Sequence, residues 1–108
     1  MSTTVVNVKK AELGKRGIGS FSEWLQQPNT VYIGRNMSFY VPGATKSIWA
    51  NPYTVKQWGR DECLQKYEQY VRLHLMDRLE ELRGKELGCW CAPEACHGNV
   101  LVRLLNEE

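Results

Sequence analysis

Leu87-Gly88-Cys89-Trp90-Cys91-Ala92-Pro93-Glu94-Ala95-Cys96-His97-Gly98-Asn99-Val100-Leu101 is the stretch that decides the fold. With Glu86 ahead of it, the part up to Cys91 reads as a strand. Side chains two apart on a strand share a face, so Cys89 and Cys91 point one way and Trp90 the other. Ala92-Pro93-Glu94 turns the chain. Val100-Leu101 and Leu104-Leu105 then recur at helical spacing, so a final amphipathic helix is predicted, ending near Asn106. Cys96 and His97 fall in its first turn or just before it. A strand feeding a helix through a short turn is the elementary unit of an α/β fold.

Working outward, residues 61–83 carry apolar groups on one helical face: Leu64, Tyr67, Val71, Leu75 and Leu82, with Cys63 and His74 at its edge. One long helix is expected there, with Gly84 just past its end. Leu73 and Met76 fall on the far side, as exposed apolar residues or as a second packing surface such as a homodimer contact. His74 is expected to be a core histidine. Thr30-Val31-Tyr32-Ile33-Gly34-Arg35 is a β-branched and aromatic run bounded by turn formers, hence a strand. Thr3 to Lys9 is another, with Val6 and Val8 on one face and Val5 on the other. Ser20 and Glu23, three residues apart, mark the start of a short helix that Pro28 and Asn29 end. Residues 36–58 keep no period, and a loop that long in so small a domain binds something or hides a short element.

Strands separated by helices predict a Rossmann-like α/β fold, with a parallel or mixed sheet of three to four strands and flanking helices. The 108 residues suit one domain over 1–108, and 43% hydrophobic and 24% charged residues are ordinary for a soluble protein. A net charge of +2 permits an anionic partner, does not favour nucleic acid, and accompanies no membrane-length apolar run or signal peptide. A cytoplasmic, intracellular setting is expected, where the four cysteines are thiols or ligands rather than a disulfide framework.

Three of the four cysteines and one of the two histidines lie within Cys89–His97. Three readings compete for this cluster. One is a reactive thiol site, with Cys96 or Cys91 as nucleophile, His97 as base or orienter, and helix-start N–H groups favouring a thiolate. The second is a zinc or iron–sulfur site of Cys89, Cys91, Cys96 and His97, soft ligands in the right number but at a spacing unlike paired Cys-x2-Cys knuckles. The third is a buried corner packed with small thiols. Elsewhere, Gly34 and Arg35 close the second strand, where an arginine fork can reach an anionic ligand. Trp49, Asn51 and Tyr53 combine two rings with an amide, suited to a planar ligand or simply to covering the sheet edge. The Gly14-Lys15-Arg16-Gly17-Ile18-Gly19 loop follows a strand, as phosphate loops do, but matches no phosphate-binding pattern and reads better as surface loop.

Val31-Tyr32-Ile33-Gly34-Arg35, Ser47-Ile48-Trp49-Ala50-Asn51-Pro52-Tyr53, and Leu87-Gly88-Cys89-Trp90-Cys91 through Cys96-His97-Gly98-Asn99-Val100-Leu101 together resemble domain of unknown function 4326, over roughly residues 3–106. The resemblance implies an α/β fold and one site containing Arg35, Asn51, Cys91, Cys96 and His97. It implies no activity, and the loop around Lys15 to Ser20 is longer here than the family's pattern.

The principal expectation is an enzyme, a cysteine-dependent transferase or hydrolase, acting without a cofactor on a nucleotide- or nucleoside-like small molecule at the carboxyl ends of the strands. Cys96, Cys91 and His97 would act, while Gly34, Arg35, Trp49, Asn51 and Tyr53 would bind. The alternatives are a zinc- or iron–sulfur-stabilised binding module for protein or nucleic acid, and a thiol redox sensor.

Overall fold

The computed structural model describes residues 2–90 and 96–107. In chain order the elements are β1 (Thr4–Asn7), α1 (Lys10–Lys15), α2 (Phe21–Leu25), β2 (Thr30–Tyr32), α3 (Val55–Trp58), α4 (Arg60–His74), a 3-10 helix (Met76–Leu82), β3 (Glu86–Cys89) and α5 (His97–Asn106). The three strands form one sheet in the order β1-β3-β2, and both pairings are parallel. The protein therefore has the α/β fold expected, with β3 at the centre. Val5 and Val31 flank Leu87 across the sheet, a row of branched side chains that defines one buried face. Among the described residues, 36–54 contain no strand. No helix there is long and apolar enough to cross a membrane.

The strands' alternation divides the core in two. Leu87, Cys89, Ile33 and Val5 face α4 and α5, whose Tyr67, Val71, Leu101 and Leu104 complete a largely aliphatic cluster. Val6, Val8, Tyr32 and Trp90 face the other way, against Phe21 and Trp24 of α2. The faces of Cys89 and Trp90 are those the period-two reading gives.

Two glycines set how closely layers approach. A Cβ on Gly88 would come within 2.4 Å of the Trp24 ring and 2.8 Å of Val8, so the indole lies directly on the central strand. A Cβ on Gly98 would meet Ile33 at 2.9 Å and Val5 at 3.0 Å. Gly98 thus lets the first turn of α5 sit down on the sheet. Val100, Leu101, Leu104 and Leu105 bury the remainder of that face, each side chain contributing about 1.5–3 kcal/mol of transfer energy.

Three local expectations are corrected. The long helix over 61–83 breaks at Leu75, where φ is −125° and ψ is 1°, and continues as the 3-10 helix. A repeat of about three residues per turn aligns Met76, Leu79 and Leu82 in one row. Leu79 and Leu82 are fully buried, and Met76 packs against the core instead of facing away. Leu73 remains exposed, and His74 is exposed beside Tyr70 rather than in the core. Finally, residues 10–15 form α1, a short helix anchored by the buried Leu13.

The residue just after α1 sits at the other end of β3 from Cys89. Arg16 makes a two-pronged ion pair with Glu86, at 3.0 and 3.1 Å, at the amino end of β3, whereas Cys89 ends that strand. The Ser20 hydroxyl accepts from the Glu23 N–H at 3.2 Å, and the Glu23 carboxylate accepts from the Gly19 N–H at 2.6 Å. Those bonds fix the start of α2 much as the sequence signature requires.

Candidate functional site

At the carboxyl edge of the sheet, β2 and β3 end beside the first turn of α5 and open into a cleft of about 310 Å³. Gly34 and Arg35 line it from the end of β2, and Asn51 and Tyr53 from the long loop. Cys89, Cys96 and His97 line it from the βα corner. Residues from three separate segments of sequence thus share one concavity. Trp49 does not line it: the indole is 3% exposed in the core, and its carbonyl accepts from the Tyr67 hydroxyl at 2.7 Å. Cys91 lies outside the described residues.

The local structure explains why Tyr32-Ile33-Gly34-Arg35 reads as it does. The Tyr32 side chain folds back along the chain, and its hydroxyl donates to the Arg35 carbonyl at 2.7 Å. Trp90 Nε1–H donates to the same hydroxyl at 2.7 Å. A Cβ on Gly34 would lie 2.4 Å from that hydroxyl and 2.6 Å from the ring carbon bearing it, so only glycine fits beneath the tyrosine. On the loop side, the Ser47 N–H donates to the Gly34 carbonyl at 3.1 Å. Arg35 is exposed but grows from backbone held on both sides. It has no carboxylate partner among the described residues.

Asn51 shapes the opposite wall. Its Oδ1 accepts from the Tyr53 N–H at 2.9 Å, and its Nδ2 donates to the Cys63 sulfur at 3.2 Å. The Cys63 thiol in turn donates to the Tyr53 carbonyl at 3.4 Å. This three-membered clasp holds the loop to α4. Tyr53 meets Trp58 edge-on, with centroids 6.5 Å apart, and the Lys66 ammonium caps the Trp58 ring at 4.2 Å.

The sulfur corner is compact. The Cys89 and Cys96 sulfurs are 3.4 Å apart, a thiol contact too long for a bond, and both residues are at most 2% exposed on the floor of the cleft. Cys96 is the N-cap of α5, and its N–H is accepted by Asn99 Oδ1 at 2.9 Å. The helix start does not lower its pKa. The hydrogen-bonded neighbour Cys89 and burial push the Cys96 thiol far up, outweighing the opposing amides of Gly98 and Asn99. The neighbouring thiol and burial thus act on Cys96 against the helix start, and the two sulfurs share their protons as a pair.

His97 is held as a neutral, oriented ring. Its Nε2 lies 2.6 Å from the Ile33 carbonyl, an acceptor only, so the proton is on Nε2 and the lone pair on Nδ1. Burial lowers its pKa, and the Arg35 charge adds to that effect, while the Ile33 carbonyl opposes both. Tyr67 packs edge-on against the imidazole, with centroids 5.1 Å apart. Among the described residues, no group of three or more His, Cys, Asp or Glu side chains is arranged to hold a metal ion.

Sequence reasoning passed over Cys63, Tyr67 and Arg60 as parts of this site. Tyr67 looks like any core residue of an amphipathic helix. Arg60, which also lines the cleft, carries a signal: a cation at the first position of a helix opposes the dipole and calls for a reason.

Fold and cleft together define a small α/β protein with a thiol–imidazole cleft at the carboxyl edge of a parallel sheet. Residues 19–107 match the family described as Domain of unknown function (DUF4326), and the chain belongs to that family. The match starts at residue 19 rather than near residue 3, so β1 and α1 precede it. An uncharacterized protein of Acanthamoeba polyphaga mimivirus is 38% identical over 84 residues, covering 68% of this chain and 65% of the viral protein. An uncharacterized 12.4 kDa protein of Enterobacteria phage T4 is 50% identical over 28 residues, 26% of each chain. The chain therefore spans less than two-thirds of the length of either relative. No solved structure matches it.

Proposed function

We propose that the cleft binds a small anionic molecule with a planar part, of the nucleotide or nucleoside kind, and that its thiol–imidazole corner acts on that molecule as a cysteine-dependent transferase or hydrolase. The observation that carries this reading is the convergence of Arg35, Asn51, Tyr53, Cys89, Cys96 and His97 on one cavity at the strands' carboxyl ends. Ligands bind there in Rossmann-like open sheets. Arg35 would grip the anionic group in a fork. The exposed part of the Tyr53 ring would flank the planar one.

Chemically, His97 Nδ1 is the base. Removing one proton from the Cys89–Cys96 pair leaves a single negative charge, with the remaining S–H donating to the thiolate across 3.4 Å. In this reading one sulfur of the pair attacks, and the other keeps its proton and steadies it as a donor. The test is alkylation by iodoacetamide, mapped by mass spectrometry, with and without the four ribonucleosides and their 5′-monophosphates. At least one should slow modification of Cys89 and Cys96, and Arg35→Ala should remove the protection given by a monophosphate. If none binds or protects at millimolar concentration, the reading fails.

A second reading, thiol redox chemistry, is favoured by the same sulfur separation. A low-molecular-weight disulfide could take two electrons and two protons from Cys89 and Cys96, leaving as two thiols and joining the pair. Mass spectrometry after oxidised glutathione treatment would show a loss of two hydrogens within the segment spanning both residues.

A further inference from the structure

A second hollow of about 420 Å³ adjoins the thiol cleft and shares Arg35 and Asn51 with it. Lys46, Ser47 and Arg78 line its other side. No aspartate or glutamate lines either hollow among the described residues. The chain as a whole has acidic groups nearly matching basic ones, 12 against 14. Arg16, Arg72, Arg78, Arg83 and Arg103 are each matched to a glutamate. Arg35 and Lys46 have no carboxylate partner among the described residues, and they meet at the same hollow.

The wall between the two hollows is built, not incidental. Gly34 and Arg35 are fixed by the Ser47 N–H on one side and by the Tyr32 hydroxyl on the other. The Ser47 hydroxyl accepts from the Trp49 N–H at 3.0 Å, which ties the loop bearing Lys46 to the buried indole. Cations held around a concavity without acidic partners favour a polyoxyanion, and an arginine fork beside a lysine point charge is the pairing that phosphoryl oxygens accept.

Resting on the nucleotide-like reading given above, we infer that the adjoining hollow is a phosphoryl subsite, so that the ligand lies across Arg35 with its planar part beside the thiols and its phosphate beside Lys46. The preferred substrate class is then a phosphorylated nucleotide rather than a bare nucleoside.

Calorimetric titration with the four ribonucleosides, their 5′-mono- and diphosphates, and inorganic pyrophosphate tests this, using the wild type and Lys46→Ala. Lys46 is exposed, so the variant is expected to fold, which its melting temperature checks. The expected result is that a monophosphate binds about tenfold or more tightly than its nucleoside, a charge-assisted gain that Lys46→Ala reduces severalfold. Equal affinities for nucleoside and monophosphate would overturn the subsite while leaving the nucleoside reading standing. If pyrophosphate binds through Lys46 and every nucleotide binds no better, the basic subsite stands and the nucleotide-like reading falls. Binding of no probe would overturn both.

Discussion

The two faces of the sheet do different work with different materials. The face toward α4 and α5 is mostly aliphatic, with Trp49 and Tyr67 among its leucines and valines, and at the carboxyl edge it gives way to two thiols, an imidazole and a cleft. The face toward α2 is aromatic, with Phe21, Trp24, Tyr32 and Trp90 packed ring against ring at centroid distances of 5.2 to 6.2 Å. Rings with polar tips reach across the layer: Trp24 donates to Glu86 at 2.7 Å, and Trp90 reaches Arg35 through Tyr32. The cleft sits on one side, and hydrogen bonds from the other fix the backbone that carries its arginine. A site of this size gains its rigidity from the layer behind it.

That division can be broken by substitution. Trp24→Ala should have the largest effect, lowering stability in urea unfolding by about 3–5 kcal/mol, because a fully buried indole leaves a cavity over Gly88. Its ligand affinity, measured well below the unfolding transition, should change little. Gly34→Ala comes next, at about 1–3 kcal/mol from overpacking against the Tyr32 ring, but it should also displace Arg35 and weaken anion binding. Tyr32→Phe removes only an oxygen and strands the Trp90 N–H and the Arg35 carbonyl. A loss of about 1–2 kcal/mol is expected, together with a weaker grip on anions by Arg35. If Tyr32→Phe leaves anion affinity unchanged, the aromatic face does not support the site.

The smallest effect is one of pH and belongs to the cleft side alone. His97 has a folded-state pKa below its ordinary value of 6.5, chiefly through burial. Between that depressed value and 6.5, the unfolded chain binds a proton that the native ring does not. Stability should therefore fall as pH drops below about 6.5 and should not depend on His97 above it. Urea midpoints at pH 5 and 7.5 should differ more for the wild type than for His97→Gln, and equal differences would contradict the buried neutral imidazole.

Much of this arrangement was legible in the residues. Period-two alternation gave the opposed faces of Cys89 and Trp90, and helical spacing gave α5 and its start at Cys96-His97, whereas the turn read at Ala92-Pro93-Glu94 lies outside the described residues. Strand-end position alone picked out Gly34 and Arg35. The break at Leu75 was not legible, because period 3.6 and period 3 separate little over two turns, and only packing of Leu79 and Leu82 selects the tighter winding. Trp49 was misjudged for a related reason. An aromatic in an aperiodic loop can turn in or out, and the Tyr67 hydroxyl that donates to its carbonyl is distant in sequence.

By itself, then, the sequence determined the α/β order, the facing of β1 and β3, and three of the segments from which the cleft is drawn, while the α4 segment bearing Arg60 and Cys63 was missed. Only the tertiary structure decided how those segments meet. The fit of Tyr32 over Gly34 and the clasp of Asn51 on Cys63 are contacts whose partners no spacing rule links. The sulfur contact that raises Cys96 likewise joins the end of β3 to the start of α5. Proton affinity depends on what surrounds a group, and those surroundings exist only once the chain has closed on itself.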